Sequence, residues 1–207
     1  MFDVMMITSR RLAGQSLSQL VSRAVAGGVD AVQVREKDLS ARKLYHLTHA
    51  VIEAVAGRAL VIVNTHLDVA LAAGADGCHL TSKSVPVAGA RLAAPKGFLL
   101  GYSAHSVEDC LLAESEGASY VTLSPIFKTA SKRKAQPLGL PYLERALLSV
   151  RIPVVALGGV SLNNAEALGR AGVPAIATIR AVSAARNPTL AARRLKLRFT
   201  KARGPRV

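Results

Sequence analysis

Three stretches of this sequence carry residues suited to holding anions. In "QVREK", Arg35 and Lys37 sit two residues apart. "SPIFKTASKRK" gathers Thr129, Ser131 and Lys132 with further cations at Lys128, Arg133 and Lys134. "PVVALGG" ends on Gly158–Gly159, and a glycine pair lets backbone N–H groups approach a phosphate closely. Two residues apart on a strand, Arg35 and Lys37 point the same way and form a cationic fork suited to a diphosphate. The Lys and hydroxyls of the 124–134 stretch suit a second anion. Asn64, Ser103, His66, His79 and His105 add hydrogen-bonding groups, and carboxylates are scarce among all of these. No histidine trio has zinc spacing, so no metal ligand is assigned. Such a set stabilises negative charge and positions phosphorylated ligands.

These residues work together only if the fold brings them to one place, and the elements predicted around them do so. Short apolar runs recur at 4–8, 31–35, 60–64, 77–80, 99–103, 120–124, 153–157 and 175–179. They are continuous rather than alternating, as in strands buried on both faces. Helical stretches separate them. Ser16 and Gln19 are placed like a capping box, Ser40 stands as the cap of a helix reaching about Val55, and a last helix starts near Pro188. A helix over Pro141–Val150 follows the sixth run. Eight strand–helix units in one chain predict an α/β fold, a single-domain (β/α)8 TIM barrel, with an open doubly wound sheet as the alternative. In such a barrel the active site forms at the carboxyl ends of the strands, where every residue named above falls.

Composition narrows the class. The 207 residues carry 27 Lys and Arg against 13 Asp and Glu, a net charge of +14. From Arg186 onward there are eight basic residues and no acidic one. The expected organisation is a barrel over 1–190 and a basic C-terminal tail over 191–207, frayed and solvated. Phe199 is the one aromatic in that tail, which argues against base stacking and a nucleic-acid partner. No apolar run approaches the roughly 20 residues that span a bilayer, so no membrane partner is expected. "MFDVMMITSRR" reads as a first strand rather than a signal peptide. Cys78 and Cys110 are read as free thiols of a cytoplasmic protein. A homo-oligomer is left open.

Six segments together carry a family resemblance: "QVREK" (33–37), "VNTHLDVALAAGADGCHL" (63–80), "GYSAHS" (101–106), "SPIFKTASK" (124–132), "PLGL" (137–140) and "PVVALGGV" (153–160). They resemble the thiamine-phosphate synthases and their relatives, the thiazole tautomerases. The resemblance implies a transferase of thiamine biosynthesis that joins a pyrimidine diphosphate to a thiazole phosphate. It implies that Gln33, Arg35 and Lys37 hold the pyrimidine diphosphate, with Lys132 on its diphosphate, and that Asn64 and Ser103 line the pyrimidine pocket. Thr129, Ser131, Gly158 and Gly159 would bind the thiazole phosphate. Arg35, Lys37 and Lys132 would carry the catalysis, and the partners would be small phosphorylated substrates.

The resemblance also implies a magnesium ion, held in the synthases by two aspartates. Here the matching positions are Thr65 and Ser84. Where the tautomerase branch has its histidine, this chain has Pro125, which resembles the synthase branch. Three readings therefore stand: a synthase, a thiazole phosphate tautomerase-like enzyme, and a non-catalytic binder of thiazole or thiamine phosphate.

Overall fold

A computed structural model describes residues 2–130 and 134–205. Eight parallel strands close into a barrel in chain order: β1 (Val4–Ile7), β2 (Ala31–Val34), β3 (Leu60–Asn64), β4 (Gly77–Leu80), β5 (Leu99–Ala104), β6 (Tyr120–Leu123), β7 (Val154–Ala156) and β8 (Ala175–Thr178). Closure is made by β1 against β8, with Val4 opposite Ile176. The closed (β/α)8 architecture is the one expected, and the open sheet is set aside.

Side-chain parity divides each strand between two cores. Met5, Ile7, Ala31, Ile62, Tyr120, Val155, Ala175 and Ala177 form one buried cluster with Phe2, which fills the barrel interior. Their neighbours Val4, Met6, Val32, Val61, Val63, Val121 and Ile176 belong to the larger cluster shared with the helices. Successive strand residues face opposite ways. Carried to the carboxyl ends, the inward parity falls on Gln33, Asn64, His79 and Ser103. The barrel axis therefore turns polar at one end because polar residues occupy inward positions there.

Around the barrel run α1 (Leu17–Ala26), α2 (Ala41–Val55), α3 (Leu67–Ala72), α4 (Val87–Ala93), α5 (Val107–Ser115), α6 (Gly139–Ser149), α7 (Ala165–Arg170), α8 (Arg180–Ser183) and α9 (Pro188–Arg203). Ser16 caps α1 by accepting from the Gln19 amide. Ser40 occupies the cap position of α2 but makes no side-chain cap bond. A reciprocal capping box forms instead at Ser106 and Asp109, ahead of α5. The helix after β6 begins at Gly139, two residues earlier than the sequence suggests.

The basic stretch expected as a frayed tail is helical through Arg203. Ala192, Leu195 and Phe199 are fully buried or nearly so, and a large apolar side chain buried in this way contributes about 1.5–3 kcal/mol. Several of the cations have fixed partners. Lys196 Nζ lies 2.7 Å from Asp30 Oδ2, and Arg203 donates to Asp3 Oδ1 at 2.8 Å and to the Pro174 carbonyl at 2.7 Å. Asp30 in turn accepts from the Asp3 and Val4 amides at 3.0 and 2.8 Å. The positive charge of α9 thus clips the last helix onto the amino-terminal end of the barrel, away from the polar mouth. Among the described residues no helix is long and apolar enough to cross a membrane.

Candidate active site

A cavity of about 990 Å³ opens at the carboxyl ends of the strands. Gln33, Arg35, Lys37, Asn64, Ser103, Thr129, Gly158 and Gly159 all line it. Ser131 and Lys132, the other two residues expected here, lie outside the described residues.

Arg35 and Lys37 reach the cavity by a different route from the one their spacing suggests. β2 ends at Val34, so both lie in the loop that follows, and strand parity does not orient Lys37. The loop is held by Glu36, which turns away from the cavity. Its carboxylate accepts from Thr8 Oγ1 at 2.8 Å and from the Arg10 amide at 3.0 Å, and it pairs with the Arg10 guanidinium. Thr8 Oγ1 also accepts from the Arg35 amide at 2.9 Å. With its middle residue tied to Thr8 and Arg10 in the segment after β1, the Arg-Glu-Lys turn presents its two cations to the cavity. Burial lowers the Arg35 guanidinium from its ordinary value, with Glu36 opposing. Lys37 is lowered chiefly by the charge of Arg35, then by burial and by Lys83.

Below the mouth lies a buried polar chain. His79 Nδ1 is 3.1 Å from the Tyr120 hydroxyl, and its Nε2 is 3.0 Å from Ser103 Oγ and 3.3 Å from Thr122 Oγ1. Burial, reinforced by the charge of Arg35, pushes the His79 imidazole down to about 3. His79 is therefore neutral at neutral pH. Burial also raises the Tyr120 hydroxyl, which stays protonated. Gly101 makes room for this pair, since a Cβ there would come within 2.4 Å of both His79 Nδ1 and the Tyr120 hydroxyl oxygen. His79 was visible in the sequence as a rim histidine. Tyr120 was read only as part of a core strand, although its inward parity, two residues before Thr122, was available as a signal.

Across the mouth, the loops after β6 and β7 are joined by backbone bonds. The Ile126 amide donates to the Leu157 carbonyl at 2.9 Å, and the Phe127 amide to the Gly158 carbonyl at 3.0 Å. Gly158 and Gly159 have φ of 94° and 67°, a region that strongly favours glycine. A Cβ at Gly159 would lie 2.5 Å from the Lys128 carbonyl oxygen and 2.7 Å from Phe127 Cβ. The pair is thus needed to seat one loop against the other as well as to expose its amides. Among the described residues no protein acceptor bonds the Gly158 and Gly159 amides. Lys128, Ser161, Thr178 and Arg180 line the same end.

Sequence reasoning did not single out Lys83 or Arg180, which also line the cavity. No Asp or Glu is among the described lining residues, and among the described residues no three His, Cys, Asp or Glu groups gather as a metal site. Cys78 and Cys110 are buried free thiols, raised by burial to about 12 and about 11, and inert at neutral pH.

Fold and site define a (β/α)8 barrel whose mouth is lined, among the described residues, by cations and hydroxyls and by no carboxylate. The family model "Thiamine monophosphate synthase" matches residues 4–182. A thiamine-phosphate synthase of Methanoculleus marisnigri is 41% identical over 205 residues, covering 98% of this chain and 97% of that one. One of Coprothermobacter proteolyticus is 40% identical over 192 residues, 92% and 91% of the two chains. The solved thiamine phosphate pyrophosphorylase of Pyrococcus furiosus superposes with a TM-score of 0.90 at 34% identity, covering 98% of each chain. The chain belongs to the thiamine monophosphate synthase family, and is a transferase of thiamine biosynthesis.

Proposed function

We propose that this chain condenses hydroxymethylpyrimidine diphosphate with thiazole phosphate to give thiamine phosphate and diphosphate. The observation that carries the reading is the division of one cavity between two anion-suited ends. Arg35 and Lys37 follow β2, and the amides of Gly158 and Gly159, without a protein acceptor among the described residues, follow β7, three strands away round the barrel.

In this reading the bond between the exocyclic carbon of the pyrimidine and the diphosphate oxygen breaks first. The electron pair leaves with oxygen, and Arg35 and Lys37 stabilise the departing charge. The thiazole nitrogen then attacks the carbon, forming the new carbon–nitrogen bond. Gly158, Gly159 and Thr129 hold the thiazole phosphate so that this nitrogen faces the cation. Ser131 and Lys132 keep the roles given by the family resemblance, phosphate and diphosphate binding. Gln33 and Asn64 supply hydrogen bonds along the pyrimidine. Neutral His79, tied to Ser103 and Tyr120, gives the pocket floor polarity without positive charge. An imidazolium there would repel the pyrimidine cation. The substrates are small and water-soluble, in keeping with a cytoplasmic enzyme.

The family resemblance brings with it a magnesium ion, and the donors present do not fit one. Mg2+ is held by carboxylates together with substrate phosphates. At the two positions concerned, Thr65 Oγ1 donates to the Asn64 carbonyl at 2.7 Å, and Ser84 Oγ accepts from the Thr81 amide at 3.1 Å. No step above is routed through a metal.

The test is turnover with both phosphorylated substrates, in EDTA and in Mg2+, with thiamine phosphate measured by chromatography. Formation of thiamine phosphate in either condition is the expected result. Its absence in both overturns the condensation reading.

A further inference from the structure

We propose that the ammonium of Lys83 joins Arg35 and Lys37 on the diphosphate and takes over the charge neutralisation of a divalent cation, so that the leaving group departs without a metal. The inference rests on the condensation reading and names how its diphosphate end is built.

The loop after β4 chooses which of its residues enters the cavity. Thr81, Ser82 and Lys83 line it, and Ser84 is not among the lining residues. The choice is made by a hydroxyl-bonded turn. The Thr81 amide donates to Ser84 Oγ at 3.1 Å, the two hydroxyl oxygens lie 3.4 Å apart, and the Lys83 amide donates to Thr81 Oγ1 at 3.3 Å. Ser84 is used up inside the turn, and the residue offered to the ligand is a cation.

Charge balance supplies the second observation. Arg35, Lys37, Lys83, Lys128 and Arg180 line the cavity, and no carboxylate accompanies them among the described lining residues. Glu36 and Asp38, the acids on either side of Lys37 in sequence, are bonded elsewhere, Glu36 to Thr8 and Arg10 and Asp38 to Arg10 and Arg11. The charged form of Lys37 is disfavoured by Arg35, then by burial, and then by Lys83 of the β4 loop. Converging cations without counterions cost free energy in the empty protein, and a multiply charged anion recovers it. Arg35 suits a bidentate contact with phosphate oxygens, and Lys37 and Lys83 act as compact point charges on the remainder. Breaking the carbon–oxygen bond leaves an electron pair on the diphosphate, so these cations bind more strongly as the bond breaks.

The test is calorimetry of inorganic pyrophosphate binding to the full chain, in EDTA and in Mg2+, beside the turnover assay. Lys83 is exposed, so its variants leave the core untouched. The parent is expected to bind pyrophosphate in EDTA, with little change on adding Mg2+. Lys83→Ala is expected to weaken that binding about tenfold to a hundredfold, the worth of one charge-assisted contact, and Lys83→Arg to retain most of it. Binding that requires Mg2+, or is unchanged in Lys83→Ala, overturns the proposal. If turnover occurs only with Mg2+ and pyrophosphate fails to bind in EDTA, the Lys83 proposal falls and the condensation reading stands. If no thiamine phosphate forms but pyrophosphate binds through Lys83 without metal, the condensation reading falls and the anion site stands.

Discussion

Acidification should weaken the folded state through His79, by an amount the structure allows to be worked out. The imidazole is held near 3 in the folded protein and has an ordinary value of 6.5. Between these values the unfolded chain binds a proton that the folded chain refuses. Stability is therefore full above pH 6.5 and falls as pH drops toward 3. At pH 5.0, about 1.5 pH units below the ordinary value, this group alone costs about 2 kcal/mol. For a chain of this size that corresponds to roughly 4–8 °C in Tm. The measurement is urea or thermal unfolding at pH 7.5 and 5.0 for the parent and for His79→Gln, whose amide does not titrate. The other histidines are common to both proteins and cancel in the difference, and pH 5.0 lies above most of the carboxylate range. The parent should lose about 2 kcal/mol more than the variant over the interval. Parallel losses would refute the argument, because His79 would then be taking up its proton inside the barrel.

Pyrophosphate affinity should fall on the alkaline side at a lower pH than an ordinary lysine would give, since Lys37 is lowered by its cationic neighbours and must be protonated to bind. Lys83→Ala should move that limb to higher pH, and a pH titration of affinity that does not move would contradict the coupling. Thr65→Asp with Ser84→Asp should raise turnover and make it more dependent on Mg2+, read from rates across a Mg2+ series. Thr65 has φ of 64°, a backbone that Asp accepts more readily than a β-branched residue. Gly101→Ala should destabilise by more than about 1–3 kcal/mol, the usual cost of overpacking, because its Cβ collides with the His79–Tyr120 pair, and denaturant midpoints check this. Deleting 191–207 removes Leu195, Lys196, Phe199 and Arg203 from the barrel base, and circular dichroism should show the shortened chain unfolded or greatly destabilised.

Much of this was determined by sequence alone. β-rich runs in a strand–helix alternation specify buried parallel strands, and each expected strand forms within a residue or two of its place. A period of two then carries Gln33, Asn64, His79 and Ser103 inward at one end without any knowledge of their contacts. The glycine pair was legible too, because few residues other than glycine adopt its backbone. Beyond the last strand residue that period stops, and the tertiary structure decides. Glu36 faces out while Arg35 and Lys37 face in because Thr8 and Arg10, more than 25 positions earlier, bind its carboxylate. Lys83 rather than Ser84 enters the cavity because a hydroxyl turn consumes the serine. The basic stretch after 190 is a packed helix because Asp3 and Asp30, at the far end of the chain, lie beneath it. His79 is neutral because the closed barrel removes it from water. For Glu36, the last helix and His79 the deciding partner or environment is brought together only by closure of β1 against β8 and of each strand against the next, whereas the Thr81–Ser84 turn is local and acts only because the β4 loop is carried to the cavity.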